Sequence, residues 1–145
     1  MTLTAHTLSD LKEIRELLSD DAANLREFVE NARSGLNSFT VDDYLFCRDD
    51  DAARNMIIEQ LDGDAYLMGC CSPMALADVT GLEPDTFTIL HEAEAFDAAG
   101  KIVISLDKVA DLADICILWD GAGHMLSSYD GEEVELGNGW LAYRN

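Results

Sequence analysis

A segregated α+β fold is what this sequence predicts, and two patterns carry the prediction. Through most of the first hundred or so residues, apolar side chains recur at steps of three and four, the spacing of a helix with one buried stripe. Beyond Leu106, short β-prone runs alternate with Asp-Gly and Asn-Gly pairs, the strongest local hairpin signal. Size and composition set the scale. The chain has 145 residues, of which 48% are apolar, near the commonest size of one domain and enough to bury a core. A single acidic domain over residues 1–145 is expected, with helices packed on a C-terminal antiparallel meander.

The elements follow in order. Leu8, Leu11, Ile14, Leu18, Ala22, Leu25, Val29 and Ala32 mark one apolar stripe. Ser19, followed by Asp20 and Asp21, reads as an internal N-cap, dividing the stripe into helices over about 8–18 and 20–33, with Gly35 ending the second. Phe39, Val41, Tyr44, Leu45 and Phe46 suggest a strand over 39–47. Asp49, Asp50 and Asp51 lead into a third helix with Gly63 at its exit, because acids favour the positive end of a helix dipole. Ser72-Pro73 opens a short fourth helix that Gly81 closes. After Glu83-Pro84-Asp85, Phe87, Leu90 and Ala93 predict a fifth over Thr86 to Ala99, stopped by Gly100. The run Ile115 to Trp119 reads as the first strand of the meander, with turns at Asp120-Gly121, Asp130-Gly131 and Asn138-Gly139.

Charge narrows the function. Against 29 Asp and Glu stand 9 Lys and Arg, a formal net charge of −20, which argues against direct nucleic-acid binding through phosphate neutralisation and against anionic membranes. No run approaches a membrane span and no signal peptide is recognisable, so a soluble cytoplasmic protein is expected. Cys47, Cys70, Cys71 and Cys116 then read as reduced, mostly buried thiols.

Catalytic and metal motifs are absent as patterns. The cysteines lack Cys-x-x-Cys spacing and His6, His91 and His124 are scattered, so no zinc framework, other metal or cofactor is expected. Cys116 and His124 face each other only if a hairpin joins them, and no orienting group completes a catalytic set. His91-Glu92-Ala93-Glu94 begins like a zinc-protease helix, but Ala95 stands where the second histidine belongs; an exposed helix face explains it. The Asp49 to Asp51 cluster lacks the alternation and distal glutamate of a calcium loop, so capping explains it better. The glycines at 121, 123, 131, 137 and 139 fall in expected turns without a phosphate-binding lysine. Ala75 to Leu82, continued by Asp85 to Leu90, has the small-residue turn of a helix-turn-helix. Between Asn55 and Gly100, however, there is no Lys or Arg and there are nine acids, so a helix pair here would face a protein rather than a phosphate backbone.

The scale of the charge suggests a partner. Folded-chain scaling gives a diameter of roughly 38 Å for this length, and duplex DNA carries about 20 charges in 34 Å of axis. Such a domain presents a field comparable to one turn of duplex to a basic cleft. Small size, extreme acidity and an α+β layout resemble the counter-defence proteins of phages and mobile elements, including DNA-mimicking antirestriction proteins and anti-CRISPR proteins. The stretches Tyr66-Leu-Met-Gly-Cys-Cys, Leu76-Ala-Asp-Val-Thr-Gly and Tyr129-Asp-Gly-Glu also look like pieces of phage proteins. The resemblance implies stoichiometric binding, without chemistry, to a basic nucleic-acid-binding protein or ribonucleoprotein complex in a host cytoplasm. The residues expected to meet that partner are Asp49, Asp50, Asp51, Asp62, Asp64, Asp78, Glu83, Asp85, Glu92 and Glu94. Trp119, Tyr129 and Trp140 are candidate anchors, with core packing the favoured role. Two other readings of the charge stand beside this one: an immunity protein that neutralises a basic toxin, and a solubility- or salt-adapted domain, the latter suggested by 18 Asp against 11 Glu and only three lysines.

Overall fold

A computed structural model describes residues 5–145, with the side chains of residues 11–137 and 139–145. The architecture is α+β: among the described residues, nine helices accompany a four-stranded antiparallel sheet. The chain folds as two compact units. One combines residues up to Ala53 with Ala122–Asn145; the other is Arg54–Gly121.

The first unit holds α1 (Ala5–Leu17), α2 (Ala22–Arg33), β1 (Ser38–Val41), β2 (Tyr44–Cys47), the start of α3 (Asp50–Leu61), α9 (Ala122–Leu126), β3 (Val134–Glu135) and β4 (Leu141–Arg144). The break between α1 and α2 is where the apolar stripe suggested it, but Ser19 is not the cap. Ser19 and Asp20 both take left-handed backbone (φ 58°), and Asp21 caps α2 by accepting a 3.0 Å bond from Asn24 N. Phe28 of α2 packs edge-on against Phe39, Phe46 and Trp140 at centroid distances of 5.3, 4.9 and 5.0 Å, in a core shared with Ile14, Leu18, Val41 and Ala142. Arg48 lies over the Trp140 ring and donates to Ala32 O and Leu36 O, so a buried aromatic and the C-terminal end of α2 share one guanidinium.

The sheet order is β1-β2-β4-β3, antiparallel throughout. The expected strand over 39–47 is a hairpin whose two-residue turn is Asp42-Asp43; Asp42 takes φ 53°, a conformation that short acidic side chains tolerate. The expected meander is corrected in the same way. Half of the sheet comes from the N-terminal half of the chain, and β4 is an inner strand held between β2 and β3. Only the turn at residues 136–140, a 3-10 segment over Gly137–Gly139, joins two C-terminal strands.

The second unit is helical: the rest of α3, then α4 (Ala65–Gly69), α5 (Pro73–Thr80), α6 (Pro84–Glu92), α7 (Phe96–Ser105) and α8 (Val109–Asp120). Ile115 to Trp119, read as a strand, belongs to α8. Leu112, Ala113 and Cys116 are buried there at helical spacing, and Gly121 (φ 84°) ends the helix instead of turning a hairpin. The single helix expected over 86–99 is two, broken at Ala93–Ala95, where Glu94 has φ 54°. Gly100 does not stop a helix; it sits inside α7, where α7 crosses α4 so closely that a Cβ on Gly100 would stand 1.7 Å from Ala65 O. Gly69 meets Phe96 O at the same distance. These two glycines permit the backbone contact that holds α4 on α7. Among the described residues, no helix is long and apolar enough to cross a membrane.

Candidate partner-binding surface

All ten acids singled out from the sequence are exposed, but they do not do the same work. Five serve helix starts. Asp49 accepts from Ala52 N at 2.8 Å and Asp64 from Leu67 N at 2.9 Å, capping α3 and α4. Asp50 and Asp51 lie in the first turn of α3, and Asp85 in the first turn of α6, where a carboxylate offsets the positive end of the dipole. The other five make no capping bond. Asp78 is on the open face of α5, Asp62 follows the end of α3, Glu92 ends α6, Glu94 lies just beyond it, and Glu83 occupies the N-cap of α6 without a side-chain bond. A carboxylate at a helix C-terminus is disfavoured by a few tenths of a kcal/mol. Asp49, Asp50 and Asp51 belong to the first unit, the other seven to the second.

The helix pair α5–α6 carries Asp78, Asp85 and Glu92. Ser72 Oγ accepts from Ala75 N at 3.2 Å, Pro73 fills the first helical position, and Gly81 closes α5 in the left-handed conformation with its N–H on Ala77 O. Pro84 then starts α6. Ala75, Leu76, Ala77 and Phe87 turn inward. Met74 and Asp78 are left on the open face of α5, and Asp85, Ile89 and Glu92 on that of α6. Met74 is 62% and Ile89 64% exposed, so each helix sets a large apolar group at (i, i+3) or (i, i+4) spacing from an acid. The ion pairs Arg15–Asp20, Arg54–Asp114 and Lys108–Asp111 use acids other than these ten.

The charge is not concentrated in the middle of the chain. Three basic residues against thirteen acids give the second unit a net −10, and six against sixteen give the first the same. What distinguishes the second unit is the run 55–100, where all nine acids are exposed and no Lys or Arg intervenes.

Three further sites lie apart from this surface. His91, in the motif that resembled a protease helix, is half-buried; its Nε2 donates to Gly69 O at 2.7 Å and so ties α6 to the end of α4. The hairpin that would bring Cys116 toward His124 does not form, because Cys116 lies in α8 and His124 in α9. Cys116 Sγ instead stands 3.9 Å from Cys71 Sγ. The hydrogen bond between the two sulfurs lowers the Cys116 thiol below its ordinary value, while that bond and burial push Cys71 up. Cys47 and Cys116 are buried, Cys71 is half-buried and Cys70 is exposed. In the first unit, Glu132 N and Ser127 Oγ both bond the Asp130 carboxylate and hold it below the usual range. Burial and a hydrogen bond to Glu133 raise the phenol of Tyr143 well above its usual value.

Of the aromatic candidates, Trp140 is core, as favoured. Trp119 and Tyr129 are exposed at 49% and 65%, and the Arg144 guanidinium covers the Tyr129 ring. Sequence reasoning missed Met74 and Ile89, whose placement opposite buried neighbours shows only once the helix faces are fixed. The chain matches no protein-family model, no curated protein and no solved structure.

Proposed function

We propose that this protein is a stoichiometric inhibitor of a basic nucleic-acid-binding protein or ribonucleoprotein complex, which it engages by placing its anionic surface in the partner's phosphate-binding cleft. The observation that carries this reading is the run 55–100: nine exposed acids, no cation, and several of those acids at positions where the helices derive no benefit from them. Met74 and Ile89 add exposed apolar groups to the helices that carry Asp78, Asp85 and Glu92, and pairing of both kinds is what separates an interface from a merely solvated surface. No chemistry is required of the inhibitor. The equal charge of the two units favours a second reading, in which acidity serves solubility or salt tolerance alone.

The two separate in one experiment. The immobilised chain is offered a host lysate at low salt, and bound proteins are released with a 30-base-pair duplex. The inhibitor reading expects basic nucleic-acid-binding proteins in the duplex eluate. It also expects a variant carrying Asp78→Lys, Asp85→Lys and Glu92→Lys to bind them at least about tenfold more weakly at low salt. That difference should fade near 1 M, where screening acts within about 3 Å. If the duplex releases nothing, the inhibitor reading fails and the solvated-surface reading stands.

A further inference from the structure

We propose that Cys71 and Cys116 form a reversible redox site, a dithiol that hydroperoxides convert to a disulfide fastening the α4–α5 junction to α8. The two sulfurs already face each other at 3.9 Å in a partly buried setting, so about 1.9 Å of approach separates them from a disulfide bond of ~2.05 Å. The pair is asymmetric. Either sulfur can donate the hydrogen bond between them; when Cys71 donates, Cys116 is the readier thiolate, and in that arrangement Cys116 is the attacking sulfur and Cys71 the resolving one. Cys116 is 7% exposed. A small oxidant reaches such a sulfur where a bulky disulfide does not, and this is why the oxidant class is a hydroperoxide.

The step balances. The Cys116 thiolate attacks a peroxide oxygen, the O–O bond breaks, and hydroxide leaves and takes up a proton as water, giving the sulfenic acid at Cys116. The Cys71 sulfur then attacks the Cys116 sulfur, the S–O bond breaks, and a second water leaves. Two thiols and one hydrogen peroxide thus become one disulfide and two waters, with the sulfurs oxidised by two electrons and the peroxide reduced by two.

The bond closes a segment of 45 residues that contains α5, α6 and α7. Restricting the unfolded chain over that length raises the melting temperature by about 10 °C. Cys70 serves as the internal control. It adjoins Cys71 in sequence and is exposed, so it is the thiol that oxidises first if accessibility alone decides.

The full-length reduced protein is treated with a few equivalents of hydrogen peroxide, alkylated, digested and mapped by tandem mass spectrometry. Thermal unfolding is followed before and after treatment. The expected result is a Cys71–Cys116 linked peptide, a rise in melting temperature of about 10 °C, and reversal of both by dithiothreitol. Cys70→Ser should leave all three intact, and Cys71→Ser should abolish the link and the rise. Oxidation confined to Cys70, over-oxidation of Cys116 with no linked peptide, or a linked peptide that leaves the melting temperature unmoved would each overturn the proposal. The mapping uses the natural sequence, so its outcome does not depend on whether a cysteine variant folds.

Discussion

Replacing Gly100 with alanine opposes two effects of known sign. Inside a helix such as α7, exchanging glycine for alanine stabilises by about 0.8–1.0 kcal/mol through backbone entropy. At this position the new Cβ would stand 1.7 Å from Ala65 O and 2.5 Å from Ala65 C. Both are backbone atoms, so no side-chain rotation gives relief, and α4 has to withdraw by roughly 1.5 Å to restore an ordinary carbon–oxygen contact. Overpacking that forces a backbone shift costs about 1–3 kcal/mol or more. We expect the clash to win, with a net loss of about 2 kcal/mol and a melting temperature lower by roughly 4–8 °C. Urea and thermal unfolding followed by far-ultraviolet circular dichroism measure it. Ala98→Gly, on the exposed side of the same helix, calibrates the propensity alone and should cost about 1 kcal/mol. Gly69→Ala meets Phe96 O in the same crossing. Once one substitution has parted the helices the second finds room, so the double variant should fall short of the sum by about 1 kcal/mol. A Gly100→Ala protein as stable as the parent, or more stable, would refute the close crossing and with it the packing of α4 on α7.

Other expectations follow from the site. Asp64→Ala removes a helix cap and should destabilise by about 1 kcal/mol, whereas Glu92→Gln relieves a carboxylate at the wrong end of α6 and should raise the melting temperature slightly while weakening partner capture. Chemical denaturation of both variants, set beside the duplex-release assay, checks this. Tyr143 stays protonated in the fold while the unfolded phenol ionises near pH 10. Stability should therefore hold below that pH and decline above it, and the difference curve against Tyr143→Phe isolates the effect. Asp130 has the opposite sense: its carboxyl is depressed in the fold, so its contribution is complete above the ordinary carboxylate range and disappears as pH falls through the lowered value. Asp130→Asn should blunt the acid side of a stability profile measured from pH 2 to 6.

What could be read in advance depended on whether the deciding interaction was local. Ser72, Pro73 and Gly81 bound α5 as expected, because a cap, a proline and a left-handed glycine act within a turn of the helix they delimit. The exposure of the ten acids was legible for the same reason. Position 100 was not: glycine looked like a stop signal, and only its contact with a backbone 35 residues earlier explains it as an interior helix residue. Ile115 to Trp119 has the composition of a strand, yet residues 112, 113 and 116 of α8 supply the buried helical face that overrides it. The hairpin turn at Asp42-Asp43 carries no glycine or asparagine to announce it. Within the candidate surface, capping by Asp49 was legible from the acids that open α3, whereas the cap that Asp64 gives α4 and the lack of one from Glu83 show only once the backbone bonds are placed. The meeting of Cys71 with Cys116 depends on helix packing and has no sequence signature at all.

Because β4 is an inner strand, completion of the sheet has to wait for synthesis. Tyr44 pairs with Arg144, so at ribosomal speeds of about 5–20 residues per second the β1–β2 hairpin waits roughly 5–20 s before its neighbour is translated. Throughout that interval one flank of β2, with Leu45 and Phe46, lacks its native partner, the condition under which nascent chains join each other edge to edge. The abundance of carboxylates in the surrounding polypeptide, whatever it does for the finished molecule, keeps neighbouring nascent chains apart while that flank is bare.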